Sequence, residues 1–250
     1  MKRFFLLIMA MCWLAGVHHL QAQDLAALED AVASLKYIRE VGKIEPYGFD
    51  IKYVYANETR PEIILDSLTG SVEISGDNYY CRMDSTESIK SDRYNIIVFH
   101  EDKLLLLATS RQDSAVDPIL YMQSMIAKSD AEKCNVSHKG PVKTVNIAFL
   151  PGSPCKNMIM QMDTVRRQLL SVEYLLKSTL LLDPVAQQEN QLPEGYDEYA
   201  LVRTTFYNYH PLKEAASRFK EERYFYKEGA EFKPTAAYSN FQVVLSNPNL

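Results

Sequence analysis

Residues 70–108, GSVEISGDNYYCRMDSTESIKSDRYNIIVFHEDKLLLLA, set short runs of Val, Ile, Leu, Tyr and Phe between the polar breaks Gly-Asp-Asn, Asp-Ser-Thr, Lys-Ser-Asp-Arg and His-Glu-Asp-Lys. Runs this short cannot be amphipathic helices, and the breaks leave no room for the crossover that a parallel pair of strands needs. The stretch predicts an antiparallel meander. Val72 and Ile74 share one face of it, and Cys81 and Met83 share a face. IIVF and LLLLA are apolar without alternation, which is the pattern of strands covered on both sides.

The flanking chain supports a layer on that meander. Leu25, Leu28, Val32, Leu35 and Ile38 recur at three- and four-residue steps and predict an amphipathic helix over residues 23–42. GFDIKYVYA alternates, with Phe49, Ile51, Tyr53 and Tyr55 on one side. Residues 57–66 read as a polar, Pro-containing connection. DPILYMQSMIAK (117–128) begins with an Asp-Pro helix start and carries Ile119, Met122 and Ile126 on a stripe. Residues 129–140 read as polar and irregular.

Further on, VKTVNIAFL is a strand, MIMQMD and LLSVEYLLK form a hairpin, and residues 182–196 form an exposed loop rich in Pro, Gln and Glu. EYALVRTTFYNY is a strand, residues 211–222 a short helix, RYFYKEGAEFKP a hairpin, and SNFQVVLSN a closing strand. About ten strands and three helices, mostly joined in consecutive order, define an α+β class. The expected architecture is one curved antiparallel sheet, an open half-barrel, with helices on its concave side and a single domain over residues 23–250.

The first 22 residues carry Lys2 and Arg3, an apolar run from Phe4 to Val17, and Leu20 and Ala22 at the minus three and minus one positions, which predicts a cleavable secretory signal. Cys12 follows the large Met11 and lies inside the apolar run, so plain cleavage is expected rather than lipidation. Cleavage leaves 25 basic and 32 acidic residues, a net charge of −7, which argues against a nucleic-acid partner. Three cysteines remain, Cys81, Cys134 and Cys155, so at most one internal pair can form. The expectation is a disulfide between Cys134 and Cys155 in turn-like surroundings, with Cys81 a buried thiol; the alternative is three thiols.

Signatures of catalysis are sparse. His100, His138 and His210 are scattered, no metal-ligand spacing occurs, and no phosphate loop, dinucleotide fingerprint or nucleophile elbow is present. Ser217-Arg218-Phe219-Lys220 fits S-x-x-K on a helix, without the companion motifs of penicillin-recognising enzymes, and reads as a solvated helix face. No metal, cofactor or enzymatic activity is expected. Asn57-Glu58-Thr59 and Asn135-Val136-Ser137 fit the N-glycan acceptor pattern. Asp66-Ser67-Leu68, Asp84-Ser85-Thr86, Asp113-Ser114-Ala115 and Asp163-Thr164-Val165 resemble the acceptor of a periplasmic O-glycosylation system in some Gram-negative bacteria, and equally suit plain turns.

What remains is apolar and aromatic lining. Phe49, Ile51, Tyr53, Tyr55, Val72, Ile74, Met83, Met158, Met160 and Met162 form a set rich in Tyr and in adaptable Met, suited to a cavity that accepts varied apolar shapes or to an ordinary core.

The helix followed by GFDIKYVYA, GSVEISGDNYYCRMD, RYNIIVFHEDKLLLLA, MIMQMDTVRRQLLSVEYLL and TTFYNY resembles the LolA-like superfamily of periplasmic lipoprotein carriers over most of residues 24–210. The leucines of LLLLA stand where that family has a Trp. The resemblance implies a half-closed β-barrel lidded by helices, whose hydrophobic cavity holds lipoprotein acyl chains. A non-enzymatic periplasmic carrier of lipid or lipidated protein is then the expected function. A structural or adaptor component of a cell-envelope assembly, binding proteins through sheet edges of the same scaffold, is the alternative.

Overall fold

A computed structural model describes residues 26–38, 40, 44–110, 131–182, 192, 194–212 and 217–247. The expected signal, the 117–128 helix and most of the 182–196 loop lie outside them. Helix α1 covers residues 26–38. Fourteen strands follow among the described residues: β1 (Tyr47–Asn57), β2 (Arg60–Ser75), β3 (Asn78–Met83), β4 (Thr86–Lys90), β5 (Tyr94–Phe99), β6 (Leu104–Thr109), β7 (Ala131–Lys139), β8 (Val142–Phe149), β9 (Cys155–Asp163), β10 (Gln168–Lys177), β11 (Tyr199–Pro211), β12 (Phe225–Glu228), β13 (Glu231–Pro234) and β14 (Gln242–Leu245).

Twelve of the strands form one sheet in the order β14-β6-β5-β4-β3-β2-β1-β11-β10-β9-β8-β7, curved and not closed on itself. The meander over β2–β6 pairs as the polar breaks dictate, and β12 and β13 make the expected separate hairpin. One pair departs from the antiparallel rule: β14 runs parallel to β6, Val244 opposite Leu106. A return from distant sequence permits that pairing, which a tight turn would forbid.

Because side chains alternate, the register assigns each residue to a face. Phe49 sits opposite Val72, Val72 opposite Cys81, Cys81 opposite Ser88, Ser88 opposite Ile97, and Ile97 opposite Leu106. In the other direction, Tyr53 sits opposite Thr204, Thr204 opposite Val172, Val172 opposite Met160, and Met160 opposite Val145. All these residues share one face. Ala31, Leu35 and Ile38, one stripe of α1, are buried in the same core as Phe49, Ile51, Val72, Met158, Met160 and Val172. Lys143, itself buried on this face, fixes the helix by donating to Asp30 Oδ2 and, at 2.9 Å, to Ser34 Oγ.

A second core occupies the opposite face. Tyr80 sits opposite Ile89, Ile89 opposite Ile96, and Ile96 opposite Leu107. Phe219, Tyr224, Phe225, Tyr238 and Phe241 of the C-terminal segment pack there. Glu221 pins that segment: its carboxylate accepts from Ser91 Oγ at 2.6 Å and from Arg93 Nη2 at 2.5 Å.

Several expectations need correction. Residues 60–66 belong to the 16-residue β2 rather than to a connection, because they continue the hairpin with β1. Residues 131–139 form the edge strand β7, for which only one inward-facing side is required. Within 211–222, β11 extends to Pro211, Lys220 N–H donates to the Ser217 carbonyl in a turn, and Glu221–Arg223 is a single 3₁₀ turn, so the S-x-x-K residues lie on no helix. The Cys134–Cys155 disulfide is not formed. All three cysteines are buried outside any disulfide. Cys134 lies on β7 and Cys155 on β9 with β8 between them, so about 9.5 Å of sheet separates the strands. A disulfide needs Cα atoms within about 7 Å.

Burial pushes the Cys155 thiol up to about 11 and raises that of Cys81. Ellman's reagent at pH 8 should therefore find almost no reactive thiol in the folded mature chain. It should find three after unfolding without reductant; one or none would restore the bridge.

Candidate ligand-binding face

The ten lining residues named from sequence all lie on the face that carries α1. Phe49, Ile51, Val72, Ile74, Met158, Met160 and Met162 are buried in the core with α1, while Tyr53, Tyr55 and Met83 are half-buried beside it. Under the helix the set is filled core. The face stays apolar beyond the helix, where Leu68, Met83, Ile97, Phe99, Leu104, Leu106 and Val244 are half-buried and none of Ile97, Phe99, Leu104 or Leu106 belongs to either core. On the reverse side of the same strands, Ile96, Val98, Leu105 and Leu107 are completely buried. The two apolar sides of IIVF and LLLLA thus differ: the C-terminal segment seals one and the other is half-open.

Two polar residues on this face had no signature in the sequence. Lys90 sits opposite both Tyr79 and Asn95, so Lys90 and Asn95 end the strip at the row next to Ser88 and Ile97. They are 6% and 7% exposed. Alternation along TESIK and YNIIVF would have placed both side chains once the pairing was known.

The opposite end of the same row opens into a pocket of about 350 Å³. Tyr47 and Tyr209 line it, with rings 6.1 Å apart, and Arg166, Arg167, His210 and Glu45 line it with them. Burial raises the Tyr209 phenol, whose hydroxyl donates to the Leu169 carbonyl at 2.8 Å. A second pocket of about 400 Å³ lies between Arg93 and Lys220, on the reverse side, with Phe219 and Glu221 in its lining.

The remaining candidates show structural roles. His100 Nε2 meets Glu87 Oε1 at 2.8 Å beside the rings of Tyr238 and Phe241. Asp163 Oδ1 accepts from the backbone N–H of Val165 and Arg166, and Thr164 Oγ1 donates to the Pro141 carbonyl, so this Asp-Thr pair builds the β9–β10 turn. Asp84 and Ser85 form the β3–β4 turn, and Asp66 and Ser67 lie in β2. Among the described residues no group of His, Cys, Asp and Glu could hold a metal ion, and no helix is long and apolar enough to cross a membrane.

Tyrosines on both faces of the sheet give the fold a pH signature. Burial, then the nearby Cys81 and Tyr55, push the Tyr53 phenol up to about 12 against a hydrogen bond with Thr204. Burial and Glu87 push Tyr80 to about 12 as well. A folded-state pKa above the unfolded value of 10 means that the neutral phenol is favoured by folding. The stability is then complete below pH 10 and lost as pH rises from 10 to 12. The urea midpoint should hold steady from pH 8 to 9 and fall above 10, together with delayed phenolate absorbance; a flat midpoint to pH 12 would contradict it.

No protein-family profile matches the chain, and no curated protein matches it. Solved structures do. An uncharacterized conserved protein from Thermus thermophilus is 10% identical with a TM-score of 0.47, covering 86% of this chain and 99% of its own. A putative outer membrane lipoprotein-sorting protein domain from Vibrio parahaemolyticus is 10% identical, TM-score 0.35, over 75% of this chain and 95% of its own. A LolA superfamily protein from Nitrosomonas europaea is 7% identical, TM-score 0.34, over 76% and 97%. The similar structures thus include the superfamily that the sequence resembles, at low identity.

Proposed function

We propose that this chain is a non-enzymatic periplasmic binding protein or carrier: an exported single domain, cleaved after residue 22, that takes a lipid or the lipid portion of a lipoprotein on the concave, helix-bearing side of its half-barrel. The observation that supports it is the half-open apolar strip of Leu68, Met83, Ile97, Phe99, Leu104 and Leu106, set on strands whose reverse side is sealed. Apolar area of this kind is stabilised by cover, at roughly 25 cal/mol per Å² removed from water. The ligand acts by being buried, and Tyr53, Tyr55 and Met83 adapt to its shape. Phe49, Ile51, Val72, Ile74 and Met158, Met160 and Met162 form the packed floor from which the strip extends.

Native mass spectrometry of the protein purified from the periplasm should reveal a bound lipid that organic extraction removes. Leu106→Glu should abolish that mass while leaving the melting temperature within a few degrees, since Leu106 is only half-buried. A protein that emerges ligand-free and fails to bind an apolar fluorescent dye overturns the proposal.

A second reading, an envelope adaptor, has its own observation. Ile63, Ile64 and Leu65 are exposed on the part of β2 that precedes its pairing with β3 at Gly70, so an apolar strand edge is open there. Capture of an envelope protein that survives delipidation and is lost in an Ile63→Ser, Ile64→Ser double variant would favour it.

A further inference from the structure

Three charged side chains are buried among the described residues: Lys90, Lys143 and Glu221. Lys143 is met by Asp30 and Ser34, and Glu221 by Ser91 and Arg93. Lys90 differs. No carboxylate, carbonyl or hydroxyl oxygen of the described residues lies within hydrogen-bonding reach of its ammonium. Its cross-strand neighbour Asn95 has a buried Oδ1 with no hydrogen-bond partner. The Lys90 stem is buried while its ammonium reaches solvent, and the buried Asn95 amide oxygen without a partner is costly. An accessible ammonium beside an unsatisfied amide, at the end of the one face left half-open, is what a site for a polar ligand group looks like before it is filled.

We infer that Lys90 and Asn95 form the head-group end of the binding strip and select a long-chain carboxylate over a neutral lipid. This inference rests on the carrier reading and specifies its ligand. The ammonium donates to one carboxylate oxygen. The Asn95 amide, turned about its last torsion, presents Nδ2–H to the other. One cation and one neutral donor match a single negative charge. A phosphate monoester carries close to two and would leave one uncompensated. From the row of Lys90 and Asn95 the strip passes Ser88, Ile97 and Leu106 to Thr86, Phe99 and Leu104. That path is roughly 13 Å long, four residues of strand, and takes the tail of such an amphiphile from its head onward.

The test compares dodecanoate, dodecanol and dodecyl phosphate as displacers of an apolar fluorescent dye from the intact mature protein. Dodecanoate should displace the dye at concentrations at least tenfold below dodecanol. Lys90→Met should erase that preference and leave dodecanol unchanged, and Asn95→Leu should reduce it severalfold. Lys90→Met should melt no lower than the natural protein, because Met keeps the packing of the buried stem and the ammonium it removes has no partner among the described residues. Equal displacement by dodecanoate and dodecanol overturns the head-group site and leaves the carrier proposal standing; failure of all three to displace, or of the dye to bind, overturns both. Stronger displacement by dodecyl phosphate overturns the choice of carboxylate. A preference that persists in Lys90→Met, or a large drop in that variant's melting temperature, overturns the role of Lys90.

Discussion

Tyr224→Ala should cost about 3–5 kcal/mol, the range for deleting a buried large aromatic ring, and lower the melting temperature by roughly 10 °C in a chain of this size. Tyr224 is completely buried and the largest such side chain among the described residues. Its ring lies 5.6 Å from that of Tyr238, and its hydroxyl donates to the Arg218 carbonyl at 2.9 Å. Removing it opens a void between the C-terminal segment and β4–β6, and it also orphans that carbonyl. The segment is held at its other side by Glu221, so the void cannot close by simple collapse. Differential scanning calorimetry measures the loss. A drop under about 1 kcal/mol would mean that the segment contributes little to holding the sheet.

Gly70→Ala should be nearly as damaging for one added methyl, at about 3 kcal/mol, the upper part of the range for overpacking. Gly70 faces Met83 across the β2–β3 pair, and a Cβ there would come 2.2 Å from the Arg82 carbonyl oxygen and 2.4 Å from Met83 Sδ. The thioether can swing away; the carbonyl cannot without opening the ladder. Amide exchange in β3 should rise sharply in this variant, while α1 and β8–β10 keep their protection. Unchanged exchange at Arg82 and Met83 would refute the mechanism.

The parts of the fold with strong local patterning were legible from residues alone. GFDIKYVYA and MIMQMD alternate with one apolar exception each, Val54 and Ile159, so the inward pairs Phe49 and Ile51, and Met158 and Met160, followed without knowledge of the pairing. The α1 stripe was equally clear, though Ala31 takes a central place that periodicity in large residues does not mark. Segments stabilised by partners rather than by their own composition were not legible. RPEIILDSLT looks like a loop because it is charged and carries Pro61, yet it continues a hairpin whose other arm is apolar. AEKCNVSHK presents only Ala131, Cys134 and Val136 to the core, enough for an edge strand. The supposed disulfide failed because Cys134 and Cys155 read as turn residues on either side of VKTVNIAFL, whereas they lie on the two strands that flank it. The return of the C-terminal segment to the far side of the sheet has no local signal either. Without it, the double apolar character of IIVF and LLLLA had no assigned sides, and Lys90 read as the polar end of a strand instead of a lysine with a buried stem.

Among the described strands β3 alone supplies buried hydrophobic side chains to both cores: Tyr79 and Cys81 on the side of α1, and Tyr80 between them on the reverse. Tyr80 also carries the Arg218 guanidinium 5.2 Å over its ring, which ties it to the C-terminal segment. A lodger pressing on one surface of the sheet is therefore mechanically linked, through three adjacent residues, to the cladding on the other. With its lone tryptophan in the expected leader, the mature chain would report such a load through the emission of its tyrosines, Tyr79 and Tyr80 among them.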